Sequence, residues 1–535
     1  MSYYSWKRLS LLGAALIFFQ GCLLIGLLPP LEGVDEYQHL AYIVFLLEEG
    51  RSPVLGVDTV PVSLLRQMRE YPLPEHAIRQ TSSWGMLGYD RFWRQQGRPV
   101  DAAREGGPVA LYQAQHPPLY YRVMAPLYRL LLPLGLPATV SLMRIFNLLL
   151  LAAASFLFFL GTEEWIPSRE SRLFVLLLVA CHPLYIGNAC RVANDIGAIF
   201  FGLGSLFLLL RFVSRTSWLL LPGGAAALAL GTWIKSTVLV WAPVWGLAFV
   251  LVLIGRERRG RGWRALLAAG TFFLCYAALC FPIFYENWQR FGTLGSLVEY
   301  TFPSFQARKA AGLWPVLLEV NWFRELSRFL GRLWLGGWSF VKLPIGLESF
   351  FVLTLYLGLG AFLVRWIRWI HAEWRQSRRG LLFPSGLFSS GAVALILAAA
   401  VGCMLLGMFY HAVISQATYG TPSTNAWYFL LALPPFFGLI YPLLCFASPG
   451  AARGYAASLV LFFLGVEVWG WFFRMIPFYT DTTSLSLIWD RLAALHPGFL
   501  PPALLPVFLG VVLLLLMRLA SVLWQEMRAH PQADL

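Results

Sequence analysis

An all-α, polytopic membrane protein is the fold class that this sequence predicts, and three observations carry it. Of the 535 residues, 58% are hydrophobic and 13% charged, against about 25% charged in soluble domains, so no single aqueous core could hide the apolar side chains. The apolar residues come in runs of about twenty, the length a helix needs to cross hydrocarbon. Between these runs arginines gather in short clusters while other connections are long and mixed in charge, the asymmetry that orients membrane proteins with their basic loops inside. The net charge of +14 therefore does not call for nucleic acid, because the basic residues fall between apolar spans rather than on one soluble face. The 7 cysteines contain no C-x-x-C pair and give neither a metal site nor a disulfide framework.

In chain order, Ser5-Trp6-Lys7-Arg8 leads into an apolar run over residues 11–28. It is long and lacks a small-x-small cleavage site, so it reads as a retained anchor. Pro29-Pro30 then break the helix, and Leu31-Glu32-Gly33-Val34-Asp35-Glu36-Tyr37-Gln38-His39 places ionisable groups directly at the membrane surface, where charge is costly and usually functional. On a resumed helix Asp35 and His39 are four apart and share a face; the structural alternative is that Asp35 and Glu36 merely cap that helix. Residues 29–141 form a first extracytoplasmic loop with interfacial helices. It closes on Gln115-His116-Pro117-Pro118-Leu119-Tyr120-Tyr121, where the two prolines fix the start of the next helix and hold His116 beside the loop. Segment 119–136, with Arg122, Arg129 and internal prolines, is assigned to the interface, since a crossing there would put the arginine clusters at 256–264 and 365–379 outside. Spans are then expected at 11–28, 142–160, 173–186, 196–213, 219–234, 238–254, 265–284, 347–370, 392–409, 427–445, 456–473 and 502–519, about twelve in all with both termini inside.

That register gathers the remaining polar clusters on the outer face. Arg191, Asn194 and Asp195 precede a span; Arg191 and Asp195 are four apart, so a plain ion pair is the structural alternative to a role in catalysis. Lys235 stands in a short outer turn, Gly231-Thr232-Trp233-Ile234-Lys235-Ser236-Thr237, where it either snorkels or holds phosphate. A second long outer loop, 284–346, carries Arg324, Arg328 and Arg332 at four-residue intervals, one basic helical face able to attract an anionic lipid. A further polar and aromatic group spans 419–429. No separate soluble domain is expected: residues 1–535 read as one transmembrane domain, without a P-loop, a dinucleotide-binding turn, or H-E-x-x-H.

In this order the motifs resemble those of the C-type (GT-C) membrane glycosyltransferases, the class that includes protein O-mannosyltransferases and the aminoarabinose-lipid A transferase. The resemblance rests on Asp35-Glu36 with His39, on His116-Pro117-Pro118-Leu119-Tyr120-Tyr121, on Arg191 with Asn194-Asp195, on Lys235-Ser236-Thr237, and on Asn287-Trp288 with Phe291-Gly292. It implies a GT-C fold and an inverting transfer of sugar from a polyprenyl-phosphate donor to a glycan, lipid or protein acceptor, outside a bacterial inner membrane. It further implies Asp35, Glu36 and Asp195 as the catalytic acidic residues, with His39, His116, Tyr120 and Asn194 as substrate-binding candidates. Related bacterial sequences often have Gly-Arg-Tyr where this chain has Asn425-Ala426-Trp427-Tyr428, which shifts the donor phosphate to Arg191 and Lys235. The chemistry is consistent independently: displacing a lipid phosphate needs a base on the acceptor hydroxyl and positive charge on the leaving group, and arginine's fork matches phosphate oxygens. No cofactor is required, although Asp35 with Glu36 or Asp195 could instead hold a divalent cation. A transporter or flippase for an anionic lipid is the main alternative, and a non-catalytic scaffold subunit a third.

Overall fold

The computed structural model describes residues 5–95, 106–215, 217–254, 262–292, 294, 297–333, 343–376, 389 and 391–529. The described chain is helical almost throughout, and its β pairing amounts to one antiparallel bridge between Thr59 and Ala110. Nine of its helices are long and apolar enough to cross a membrane: Trp6–Ile25, Leu136–Trp165, Asp195–Arg215, Ser236–Ile254, Gly262–Arg290, Gly391–Tyr419, Ala426–Cys445, Pro449–Thr480 and Pro502–Arg528. The expected span at 173–186 is a broken one, Arg169–Ala180 and Pro183–Ala189, bent by 52°. It counts as a tenth crossing if the two pieces are taken together. The break falls at Cys181-His182, where Pro183 disfavours helical backbone in the residue before it.

Two other expected spans are shorter apolar helices, Leu220–Ile234 and Ile345–Leu357, the latter the first part of the helix Ile345–Gln376. Nine or ten crossings among the described residues thus stand against the expected twelve. Segment 119–136 is a helix of 13 residues, Leu119–Leu131, too short to span hydrocarbon. It buries Tyr120, Tyr121, Met124 and Tyr128 and exposes Val123 and Leu130, the two-faced pattern of an interfacial helix. The arginines at 256–261 and at 378–379 lie outside the described residues.

The centre of the bundle is Trp6–Ile25 packed on Leu136–Trp165, which packs on Asp195–Arg215, and that helix in turn on Leu220–Ile234. Close approach is possible because small residues sit at the crossings: a Cβ on Gly21 would lie 2.3 Å from Leu148 Cδ1. The peripheral helices leave large apolar side chains such as Leu266, Leu274, Phe281, Leu514 and Met517 uncovered, as lipid-facing surfaces require.

The two ends of the bundle differ. At one, Arg211 and Arg215 both reach Glu164 (2.7 and 2.5 Å), Arg453 reaches Glu170 (2.6 Å) and Arg169 reaches Glu526 (3.1 Å). Trp6 Nε1 donates to the Phe159 carbonyl there at 2.7 Å, and the Arg172 guanidinium lies over its ring. At the other end, loops and short helices of 26–95 and 106–135 close over the bundle. The spacing of Arg324, Arg328 and Arg332 does give a helix, Trp322–Arg332, but not a free basic face. Arg324 and Arg328 both pair with the buried Glu325, and Arg332 donates to Asn425 Oδ1 at 3.0 Å.

Candidate functional site

The site begins with a clamp. After Ile25 the chain turns through 26–35, and Arg144, fully buried in Leu136–Trp165, donates to the carbonyls of Leu28 and Pro29, 2.8 Å each. The same guanidinium forms two bonds to Glu36, at 2.9 and 2.6 Å. Glu36 also accepts from the backbone N–H of Val192 (2.7 Å) and Gly33 (3.3 Å). Its side chain is fully buried and engaged, so Glu36 lies behind the site and ties three segments together. Gly33 is required for this approach, since a Cβ there would lie 2.5 Å from Arg191 Cβ.

Held this way, Asp35 adopts left-handed backbone (φ 59°) at the start of the helix Glu36–Glu49, and its carboxylate does not cap that helix. Non-glycine residues in that region are strained and cluster at functional positions. The side chain is half-buried and accepts a 2.5 Å hydrogen bond from Tyr112. Burial and the neighbouring Asp35 charge push the Tyr112 phenol far above its ordinary range, which fixes it as the donor.

Asp35 lines a cavity of about 390 Å³ together with His39, His116, Arg191, Asp195 and Lys235. Asp195, the first residue of Asp195–Arg215, accepts from Lys235 Nζ at 2.5 Å and from Arg191 Nη2 at 3.1 Å. A carboxylate suits that helix terminus. Arg191 Nη1 donates to the Val34 carbonyl at 2.9 Å, while its buried Nε has no hydrogen-bond partner. Lys235 ends Leu220–Ile234 in extended backbone, and Asn194 Nδ2 donates to the Ile234 carbonyl at 3.1 Å, fixing the turn that presents the lysine. Asn194 therefore acts behind the cavity. So does Tyr120, whose buried hydroxyl bonds with Asn147.

His39 and His116 stack with ring centroids 6.2 Å apart, and His39 Nδ1 meets the Tyr121 hydroxyl at 2.9 Å. Burial, reinforced by the Arg191 and Lys235 charges, holds His39 well below the usual imidazole range. Burial and Lys235 bring His116 down to about 3. Both rings are neutral at pH 7 and serve as hydrogen-bonding surfaces rather than charges. Deeper in the clamp, Glu32 accepts from Tyr89, and burial raises its carboxyl to about 8.

Six of the expected site residues thus meet in one cavity, while Glu36, Tyr120 and Asn194 support it from behind. The expectation of a cation held by Asp35, Glu36 and Asp195 does not fit: Glu36 is consumed by Arg144, Asp195 by two cations, and no group of three metal-ligating side chains occurs among the described residues. Reading the sequence alone misses Tyr112, Glu299, Tyr300 and Tyr410, which also line the cavity. Their signal was diffuse, polar and aromatic residues near helix ends that an interfacial belt would also show. No protein family, no curated protein and no solved structure matches the chain.

Proposed function

We propose that the chain is an inverting glycosyltransferase of the GT-C kind. It moves a sugar from a polyprenyl-phosphate donor to an acceptor hydroxyl on the extracytoplasmic face of a bacterial inner membrane, and its full complement of crossings is the twelve of that register. The observation that supports this best is the cavity at one end of an apolar bundle: a strained, tyrosine-bonded carboxylate, Asp35, shares it with two cations, Arg191 and Lys235, that have one counter-charge, Asp195, between them. Arg191, Lys235 and Asp195 together carry one net positive charge, and the unpartnered Arg191 Nε–H is a donor suited to a phosphate oxygen.

In the proposed reaction the donor phosphate sits on Arg191 and Lys235. The acceptor oxygen attacks the anomeric carbon from the face opposite the phosphate, so the configuration inverts, and its proton passes to Asp35. The carbon–oxygen bond to phosphate breaks and its electron pair leaves with the polyprenyl phosphate, whose charge the two cations stabilise. Asp195 orients the cations and does not itself need to take a proton. His39 and His116, being neutral, add no charge that would compete for the phosphate.

The test is turnover by purified protein in nanodiscs given a panel of polyprenyl-phosphate sugars, followed as labelled sugar released or transferred. Asp35→Asn keeps size and the Tyr112 contact but cannot accept the proton, so turnover should fall about a hundredfold or more while donor binding persists. Parent-like turnover in Asp35→Asn would remove the base from this scheme.

A further inference from the structure

The reaction just described uses only part of the cavity lining. The remainder is built by the 3-10 turn Val298–Thr301, the helix Gly391–Tyr419 and the turn Ala426–Ala432, and it carries chemistry of another kind. Glu299 and His411 form a pair with Oε1 3.6 Å from Nε2. His411 Nδ1 faces the Ser423 carbonyl at 3.4 Å, and a carbonyl can only accept, so that nitrogen carries the hydrogen. Burial pushes the Glu299 carboxyl up, but the His411 contact draws it further down, so it stays an anion below the usual carboxylate range. On the same cavity Gln113, 4% exposed, has a side-chain oxygen with no hydrogen-bond partner. An unsatisfied buried acceptor is costly unless something supplies a donor.

Beside these acceptors lie the half-buried rings of Trp427 and Tyr428, centroids 5.9 Å apart. The combination of several acceptors with an aromatic face selects a polyol that has a flat carbon–hydrogen surface. We propose that Glu299, His411, Gln113 and Trp427 form the subsite for the pyranose ring of the lipid-linked donor, an inference that rests on the glycosyltransferase reading. Tyr428 makes the link: Lys235 Nζ lies 5.7 Å from its ring centroid and the His411 ring 5.0 Å from it. A sugar one bond removed from a phosphate on Lys235 therefore reaches these residues. The cavity of about 390 Å³ falls at the small end of ligand sites, about 300–1,000 Å³, which suits a sugar phosphate with its hydrocarbon tail outside.

The experiment measures binding to the full-length protein in nanodiscs of undecaprenyl phosphate and of undecaprenyl-phosphate hexoses (glucose, galactose, mannose). The parent protein should bind one hexose form at least about tenfold tighter than the bare phosphate, the scale of one hydrogen bond to a charged group. Glu299→Gln, nearly isosteric, and Gln113→Ala should each lose most of that preference while bare undecaprenyl phosphate binds as in the parent, which also reports an intact fold. If the parent binds all forms equally, or either variant keeps the preference, the subsite is wrong and the phosphate site stands. If Glu299→Gln instead raises only the acceptor KM, these residues hold the acceptor, and the donor assignment is overturned. If the parent binds no undecaprenyl phosphate in any form, it is the glycosyltransferase reading that fails.

Discussion

Asp195 lies 2.5 Å from one cation and 3.1 Å from another, and this crowding decides how the neighbouring arginine should respond to mutation. Arg191 spends one nitrogen on Val34, one on Asp195 and leaves Nε for a ligand. Arg191→Lys keeps the charge but has no Nε–H and no fork, so donor affinity should fall about tenfold, and Arg191→Ala should fall further. Donor binding equal to the parent in Arg191→Ala would reduce Arg191 to a partner of Asp195. The i,i+4 spacing made that pair legible in the sequence, whereas the Lys235 bond to the same carboxylate was not, being 40 residues away. Burial sets a second response at this scale. His116 and His496 are both lowered to about 3 from 6.5, in each case mainly by burial. They stay neutral when folded, whereas the unfolded chain binds their protons below pH 6.5, so acidification costs stability. Glu32, raised by burial from 4.5 to about 8, keeps its proton when folded after the unfolded chain has lost it, so stability falls as pH rises from 4.5 through 8. With His39, also held well below its ordinary range, three imidazoles outweigh one carboxyl below 6.5, and the carboxyl dominates well above it. Tm in detergent should therefore peak near pH 6.5, with Glu32→Gln flattening the alkaline side; a parent Tm still rising from 6.5 to 8 would contradict it.

Elements were legible in the sequence where they are long and apolar, and their interruptions were not. Runs of about twenty apolar residues have one stable form in hydrocarbon, the helix, which is why each expected span has a helical counterpart. The extended residue at Lys235 and the strained Asp35 depend on partners far along the chain. Glu36 illustrates the cost of reading locally: beside Asp35 it looked like a second catalytic carboxylate, but Arg144, 108 residues away, claims it. The consequence can be measured. Breaking one side of a buried, hydrogen-bonded ion pair typically costs about 3–5 kcal/mol, and here the loop that presents Asp35 is released as well. Glu36→Gln should lower Tm and yield sharply, whereas Asp35→Asn, in a half-open cavity, should leave both near the parent. Glu36→Gln with parent stability and abolished turnover would return Glu36 to the catalytic set.

At the scale of the whole molecule, charge is distributed along the bundle axis in a way that predicts orientation. The end remote from the cavity carries Lys7, Arg8, Arg169, Arg172, Arg211, Arg215 and Arg453, only partly offset by Glu163, Glu164, Glu170 and Glu526. Loops rich in lysine and arginine stay on the cytoplasmic side, so the cavity should open outward. Along Asp195–Arg215 no charge follows Asp195 until Arg211, so this central helix offers no polar path through the membrane such as a flippase would use. Single cysteines in a background free of the native seven can test the orientation: Val57→Cys in the first loop, Thr421→Cys beyond Gly391–Tyr419, and Arg215→Cys at the basic end. All three positions are exposed at the ends of the bundle. An impermeant maleimide should label 57 and 421 in intact cells and reach 215 only after permeabilisation. Labelling at 215 with protection at 57 and 421 would turn the protein over, place the cavity in the cytoplasm beside nucleotide-sugar pools, and remove the reason for a lipid-linked donor.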